Sequence, residues 1–442
     1  MSRLGLDAAA TESLVRLLPE DAQREARAVL DWLLPEGDEG LGNLSQYDLQ
    51  NFLWYYLPVK WLVEPREHHE AAWALGDLLE SAGLIRYAGL CRSNDTHLLI
   101  DLWDTDQARA RRTLRRLSES SGVDPLDTET LQWGAVFGMA EAAARAAVSD
   151  ALEAALDAGR LTPGAPRWKA EAGRIINEVV ARSGEPPGAA TLLEAIWAER
   201  TGWWVGRTGT ARVSILGPVL PRLSTPIEVP DSVDASLEPL RWLLHQVGEG
   251  VTMTQAGYLP KALVLAANDR FRWFDLPGFS VRTEHDLPQL AHLHELAKAT
   301  RLLTRRGRRL TVSAAGRRAL GEPDLLWINV TRRFFDGTRF EGDGSALAVA
   351  CLLGQGGAQP ERAVEARVGG AVSERWRAGA GEPLGPYAGI RAMRELRVLG
   401  EVFGWIVEEG AYDARTIALN EIGEQAGLLG LQSQARAPRD RP

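Results

Sequence analysis

Cysteine is almost absent from this 442-residue chain, in which only Cys91 and Cys351 occur. Two cysteines so far apart in sequence predict no disulfide framework and are typical of a reducing compartment. No apolar run approaches the ~18 residues that a membrane-spanning helix needs, and the first residues lack the apolar core of a signal peptide. These absences predict a cytoplasmic protein with no membrane partner.

Lysine is scarce as well, because only four of the 50 basic residues are lysines. The resulting bias toward arginine, together with abundant alanine and glycine, is typical of a GC-rich bacterial genome and carries no function by itself. The 59 acidic residues outnumber the basic ones and give a net charge of −9. A charge of this sign argues against nonspecific coating of nucleic acid, although one local basic face remains compatible with it.

The chain does contain the apolar residues that folded cores require. Hydrophobic residues make up 45% of it and charged residues 25%, as in ordinary globular proteins, and its length exceeds what one core usually holds. Apolar residues recur at helical spacing over most of its length, as they do at Leu14, Leu17 and Leu18. The sequence therefore predicts a mainly α, multi-domain protein with small β-hairpins.

Composition shifts and turn signals divide the chain into six predicted segments. Residues 203–235 are rich in β-branched residues, glycine and proline, which predicts short strands and a linker. The predicted segments are an N-terminal helical domain with a hairpin near 84–103 (1–125), a long-helix region (126–202), the strand and linker segment (203–235), a basic domain (236–335), an acidic domain (336–430) and a disordered tail (431–442).

A weak internal repeat closes the basic and the acidic domain. Each copy has the order helix, strand, turn, strand and short capped helix, first as HELAKATRLL-TRRGRR-LTVSAAG and then as MRELRVLGEVFGWIV-EEGAYDA-RTIALNEIG. Ser313 and Asn420 are expected to cap the helix that follows each second strand.

This order of elements resembles the winged helix, in which a three-helix core carries a β-hairpin wing. The resemblance covers residues 237–430, and more faintly 45–103, and it implies tandem winged-helix-like units. The chain is also similar to multi-domain proteins of GC-rich bacteria, a resemblance that implies no activity.

The first copy of the repeat is strongly basic. Residues 286–320 carry eight basic side chains against two acidic ones, a local net charge of +6. Arginines on a wing with Gly307 at its tip would lie along phosphates, because a guanidinium group bonds two oxygens at once. Polar residues of the preceding helix are candidates for reading base edges. The predicted nucleic-acid-binding residues are Gln289, His292, Lys298, Arg301, Arg305, Arg306, Arg308 and Arg309.

Two other interpretations of the basic copy stay open. An arginine-rich hairpin also serves as a solubilising surface, or docks on acidic protein surface. The second copy supports this alternative, because residues 386–428 carry a net charge of −3 and would repel a duplex. The sequence thus predicts a non-catalytic binding protein whose partner is duplex DNA or another polyanion. The alternative is a scaffold or oligomer-forming assembly factor with a protein partner.

An enzyme is the third possibility, and its support is the chain length and a histidine cluster over 285–295. His285, His292 and His294 with Glu295 do not follow the H-E-x-x-H spacing of zinc hydrolases. The adjacent His68 and His69 point to different sides of a helix and do not share one metal easily. No G-x-S-x-G motif or P-loop occurs. The sequence therefore predicts no catalytic residue, no metal and no cofactor.

Overall fold

A computed structural model describes residues 6–34, 40–183, 190–206, 209–225, 227–276, 280–411 and 414–439. The protein is mainly helical and carries two small antiparallel sheets, which confirms the predicted fold class at this level. Its residues form two compact units, Met1–Glu199 with Pro438–Pro442, and Arg200–Ala437. No helix in the described part of the chain combines the length and the apolar character that crossing a bilayer requires.

The first unit consists of helices around an apolar core that contains Leu49, Phe52, Leu75 and Leu99. Its helices are α1 Ala8–Val15, α2 Glu20–Leu33, α3 Gln46–Asn51, α4 Leu57–Lys60, α5 Pro65–Ser81, α6 Ile85–Cys91, α7 Asn94–Thr105, α8 Gln107–Ser121, α9 Met139–Asp157 and α10 Trp168–Val180. A π-helical segment, Phe52–Tyr56, lies between α3 and α4. Helix α11, Leu192–Gly206, continues through the residue at which the two units divide.

The hairpin predicted near 84–103 is wrong, because helices α6 and α7 occupy this segment. Leu99, Ile100 and Trp103 are buried at helical spacing, which puts them on one face of α7. The Ser93 hydroxyl accepts a hydrogen bond from Thr96 N–H and caps α7, so the predicted turn is a helix-to-helix link. Among the described residues, 45–103 contain no sheet, so the β-hairpin wing that the faint winged-helix resemblance implies for this segment is not found.

The strands and linker predicted over 203–235 are also wrong. The segment contains the end of α11, α12 Thr210–Leu216, α13 Leu220–Leu223 and the start of α14 Val233–Val247. Ile215 and Val219 are buried, so these β-branched residues pack one side of short helices rather than a sheet. Pro221 lies in the first turn of α13, where a missing N–H breaks no helical hydrogen bond.

The second unit contains two copies of one arrangement, in which a helix and a short strand are followed by further helices and a β-hairpin; there are two of these further helices in the first copy and three in the second. In the first copy, residues 233–321 (the basic module), the sheet has the antiparallel order β1-β3-β2. Its elements are α14, β1 Val251–Thr252, α15 Lys261–Phe271, α16 Pro288–Ala299, β2 Leu303–Arg306, β3 Arg309–Val312 and α17 Ala314–Gly321.

Helix α18, Pro323–Phe334, leads to the second copy, residues 340–435 (the acidic module). Its sheet repeats the arrangement of the first one, with the antiparallel order β4-β6-β5. Its elements are α19 Phe340–Gln355, β4 Gln359–Pro360, α20 Glu361–Arg375, α21 Ala388–Ala392, α22 Arg394–Val402, β5 Ile406–Glu409, β6 Thr416–Leu419 and α23 Glu421–Ala435.

The two caps predicted from the repeat are confirmed. Ser313 Oγ accepts from Gly316 N–H at 2.9 Å, and Asn420 Oδ1 accepts from Gly423 N–H at 2.9 Å. Each interaction satisfies a backbone donor in the first turn of the helix that follows the hairpin. The two modules therefore begin their last helices in the same way.

A second shared contact holds each hairpin against that last helix. The Leu302 carbonyl accepts from Ser313 N–H at 2.9 Å, and the Trp405 carbonyl accepts from Asn420 N–H at 3.2 Å. A Cβ at Gly316 would come within 2.3 Å of the Leu302 oxygen, and one at Gly423 within 2.0 Å of the Trp405 oxygen. Glycine is required at both positions because the backbone of the hairpin base approaches so closely.

The disordered tail predicted for 431–442 is wrong over most of its described residues. Helix α23 continues to Ala435, and the Arg439 carbonyl accepts hydrogen bonds from Ala135 and Val136 N–H. The Arg439 guanidinium forms an ion pair with Glu199 at 2.9 Å. These contacts hold the chain as far as residue 439, and residues 440–442 lie outside the described residues.

Candidate nucleic-acid interface

The basic hairpin consists of β2 and β3 joined by a two-residue turn. Arg305 pairs with Leu310 and Arg306 with Arg309 across the two strands. Gly307 occupies the turn with φ +59°, a left-handed conformation that glycine adopts without strain. The predicted hairpin with Gly307 at its tip is therefore confirmed.

All four arginines of this hairpin are exposed. Arg305 Nε donates to the Gly307 carbonyl at 2.7 Å, and Arg309 Nη2 donates to the Glu249 carbonyl at 2.9 Å. Arg308 donates from Nε and Nη2 to the Met253 carbonyl at 3.0 and 2.8 Å. Neutral carbonyl oxygens thus orient three guanidinium groups without cancelling their charge.

The fourth arginine, Arg306, has no partner within the described part of the chain. Arg306 and Arg309 are cross-strand partners, so their side chains leave the sheet on the same face. Within the described ranges, no carboxylate lies within ion-pair distance of any of the hairpin arginines 305, 306, 308 and 309. The hairpin therefore presents uncompensated positive charge in an otherwise acidic protein.

Two other predicted residues lie at the base of the hairpin. Arg301 is exposed and has φ +57°, which is a strained conformation for a side chain with a Cβ. Its counterpart in the acidic module is Gly404, with φ +63°. Lys298 is half-buried and its Nζ lies 2.6 Å from Glu295 Oε1 on the same helix, so its charge is paired.

Helix α16 packs against α22 of the acidic module, which decides where its polar residues point. Gln289 Nε2 donates to Glu401 Oε2 on α22 at 3.4 Å. His292 is half-buried, and burial lowers its pKa, with a further lowering by the guanidinium groups of Arg394 and Arg339. Gln289 and His292 are therefore half-buried beside the acidic module, and the Gln289 amide is engaged there by Glu401.

The second hairpin carries the opposite charge. Glu408 and Glu409 lie on β5, and Arg415 Nη1 contacts Glu408 Oε2 at 3.2 Å. Asp413, which the sequence also assigns to this acidic copy, lies outside the described residues. The described side chains on this hairpin provide no surface for a phosphate backbone.

The histidines singled out in the sequence do not form a common site. His294 is buried and its Nδ1 lies 2.7 Å from Glu284 Oε1, whereas His285 is exposed. His68 Nε2 lies 3.2 Å from the Trp61 carbonyl oxygen. Across the described ranges, no cluster of three or more histidine, cysteine, aspartate or glutamate side chains has a geometry that suits a metal ion.

One histidine contact was missed in the sequence. His69 Nδ1 lies 2.7 Å from His97 Nδ1, and His69 Nε2 lies 2.9 Å from Asp101 Oδ1. The His97 ring stacks on Trp73, with centroids 5.1 Å apart. No local sequence pattern indicates this contact, because His69 lies on α5 whereas His97 and Asp101 lie on α7.

A run of arginines over residues 107–116 was also missed, although it is visible in the sequence as QARARRTLRR. It forms helix α8 of the first unit. Such a run signals either a solvated face or an anion-binding surface, and the neighbouring side chains decide between them.

Comparisons with protein-family models, with curated proteins and with solved structures find no match to this chain. Its function is therefore argued from the contacts and charges of its own residues.

Proposed function

We propose that this chain is a non-catalytic, cytoplasmic binding protein whose basic module is winged-helix-like and contacts the phosphate backbone of duplex DNA. The observation that carries the proposal is the exposed hairpin whose arginines have no carboxylate partner among the described residues. The contacting residues are Arg301, Arg305, Arg306, Arg308 and Arg309.

The order of elements supports the winged-helix assignment. Helices α14, α15 and α16, with β1 after the first of them and the β2–β3 hairpin after the third, follow the order of a three-helix core that carries a wing. Strand β3 lies between β1 and β2, so the hairpin is tied to the core through the short strand β1. The acidic module repeats the sheet topology and has one additional helix, α21, between its first strand and its hairpin.

The charge of the hairpin supports a backbone contact rather than base reading. Guanidinium groups bind phosphate oxygens in a forked geometry that requires no particular sequence. Gln289 and His292 lie beside the acidic module and are not expected to contact bases, and Lys298 is paired with Glu295. Binding is therefore expected to depend strongly on salt and weakly on DNA sequence.

The test is fluorescence anisotropy with a labelled duplex and the full chain. About five phosphate contacts should make the affinity fall roughly 500-fold between ~50 and ~200 mM salt. Replacing Arg305, Arg306, Arg308 and Arg309 by alanine should abolish this binding while the far-UV circular dichroism spectrum stays unchanged. No binding by the parent protein at ~50 mM salt would refute the proposal.

A matched pair of double variants separates the hairpin from overall charge. Arg306→Ala with Arg309→Ala removes two charges from the hairpin. Arg362→Ala with Arg391→Ala removes two exposed charges from the acidic module. We expect a large loss of affinity in the first pair alone, and an equal loss in both would mean that the hairpin is not the contact site.

A scaffold role is the alternative that the acidic hairpin favours. Glu408 and Glu409 lie on a hairpin in the same structural position as the basic one, and such a surface suits a basic protein partner or a second copy of the chain. Light scattering that finds a closed oligomer, together with an absence of duplex binding, would support this alternative.

A further inference from the structure

A cleft of about 490 Å³ in the first unit is lined by aromatic side chains and by arginines of helix α8. Tyr55, Val59 and Trp103 line its apolar side, and Arg111 and Arg115 of α8 line its rim. Clefts of this size that combine an apolar lining with a few polar groups are typical of small-molecule sites.

The π-helical segment Phe52–Tyr56 shapes the floor of this cleft. Trp103 Nε1 donates to the Trp54 carbonyl at 2.8 Å, so a backbone oxygen of this segment accepts from a side chain of α7. The Trp103 ring then meets Tyr55 edge to face, with centroids 5.8 Å apart. Single π-helical turns are rare and concentrate at functional sites, and this one orients Tyr55 into the cleft.

Helix α8 supplies the charge at the rim. Arg111 and Arg115 are one helical turn apart and lie on the same face, both exposed. Neither has a carboxylate partner in the part of the chain that the structure describes. Arg116 on another face lies 3.6 Å from Asp95, and Lys60 Nζ lies 5.9 Å from the centroid of the Tyr55 ring.

We propose that this cleft binds a small organic anion. A carboxylate or phosphate group pairs with Arg111 and Arg115, because two guanidinium groups one turn apart bind the oxygens of a single anion. The apolar body of the same molecule covers Tyr55 and Val59 and gains from the removal of that surface from water. This site is independent of the hairpin proposed to contact DNA.

The probe for this site is 8-anilinonaphthalene-1-sulfonate, a flat apolar anion whose fluorescence rises when it leaves water. The parent protein should show one saturable site for it. Arg111→Gln with Arg115→Gln should weaken that site by about tenfold, a loss of about 1.4 kcal/mol. Arg109→Gln with Arg116→Gln, which removes the same charge from another face of α8, should leave the affinity unchanged.

Two further measurements sharpen the test. N-phenyl-1-naphthylamine, a neutral molecule with the same rings, should bind equally to the parent and to both variants. Competition by decanoate and by decyl phosphate tells a carboxylate ligand from a phosphate ligand. The proposal is overturned if the parent has no saturable site for the sulfonate probe, or if both double variants weaken it equally.

Discussion

Arg212 Nη1 lies 2.7 Å from Asp343 Oδ1, and the two side chains are only 2% and 0% exposed. Asp343 Oδ2 also accepts a hydrogen bond from Trp376 Nε1 at 2.8 Å. Burying two charges is costly, and their mutual pairing offsets most of that cost, with smaller contributions to Asp343 from Trp376 and from Arg375 Nη1 at 3.4 Å. This ion pair joins α12 to α19 inside the second unit, so the loss of one partner should be far more harmful than the loss of both.

Asp343→Ala is therefore expected to lower the free energy of unfolding of the second unit by about 3–5 kcal/mol, because it leaves Arg212 charged and buried. Arg212→Met combined with Asp343→Leu should lose much less. Urea unfolding followed by tryptophan fluorescence measures both. Arg66→Gln, which breaks an exposed pair with Glu70, should change stability by no more than about 0.5 kcal/mol. Equal losses in the single and the double variant would contradict this account.

Arg301→Gly should raise the stability of the second unit and weaken its binding to duplex DNA. A left-handed arginine is strained by roughly 1–2 kcal/mol, and the larger backbone entropy of glycine offsets part of that gain. We expect the variant to be more stable by about 0.5–1 kcal/mol and to bind duplex DNA more weakly. Gly404→Ala in the acidic module should be destabilising. Thermal unfolding and anisotropy measure the two effects, and unchanged duplex binding would remove Arg301 from the interface.

Arg306→Gln should reduce the salt dependence of duplex binding. This side chain has no partner among the described residues, so its removal disturbs no internal hydrogen bond. Each lost phosphate contact should reduce the slope of log affinity against log salt by about 0.9. Arg362→Gln serves as the control and should leave the slope unchanged. An unchanged slope in Arg306→Gln would show that this residue does not contact phosphate.

The stability of the first unit should fall as the pH decreases below about 6.5, the ordinary pKa of histidine. Burial lowers the pKa of His97, and the neighbouring His69 lowers it further while Asp101 opposes the shift. The unfolded chain therefore binds a proton at a pH where folded His97 stays neutral, and this difference destabilises the fold until the pH reaches the lowered pKa.

His97→Gln removes that proton uptake. Urea unfolding between pH ~7 and ~5 should therefore show a shallower loss of stability in the variant than in the parent. His285→Gln is the control because His285 is exposed, and it should keep the parent's pH dependence. A variant with the parent's slope would mean that other groups govern the acid response.

Local sequence signals predicted the parts of the second unit that depend on local chemistry. Ser313 and Asn420 cap helices because their side chains bond to a backbone N–H three residues ahead, an interaction within one turn. Gly307 marks a hairpin because its turn needs a positive φ. Such features are encoded within a few residues and can be read from one sequence.

The errors and omissions involve contacts between distant parts of the chain. Val213 and Ile215 suggested a strand, but packing of α12 against α19 overrides that preference. Tyr55 and Arg111 meet in one cleft only after α7 and α8 have folded back on the π-helical segment. Likewise, only the packing of α16 on α22 shows that Gln289 faces protein, since an isolated helix has no such neighbour.

The basic and acidic modules share a single apolar core, in which the residues of α19 from Gly342 to Leu353 are almost wholly buried. Neither copy of the repeat can therefore be excised and expected to fold alone, because each cut would expose the surface on which α16 packs against α22. The repeat in this protein therefore forms one body with two differently charged hairpins, so that substitutions can change the charge of either hairpin without altering the shared core.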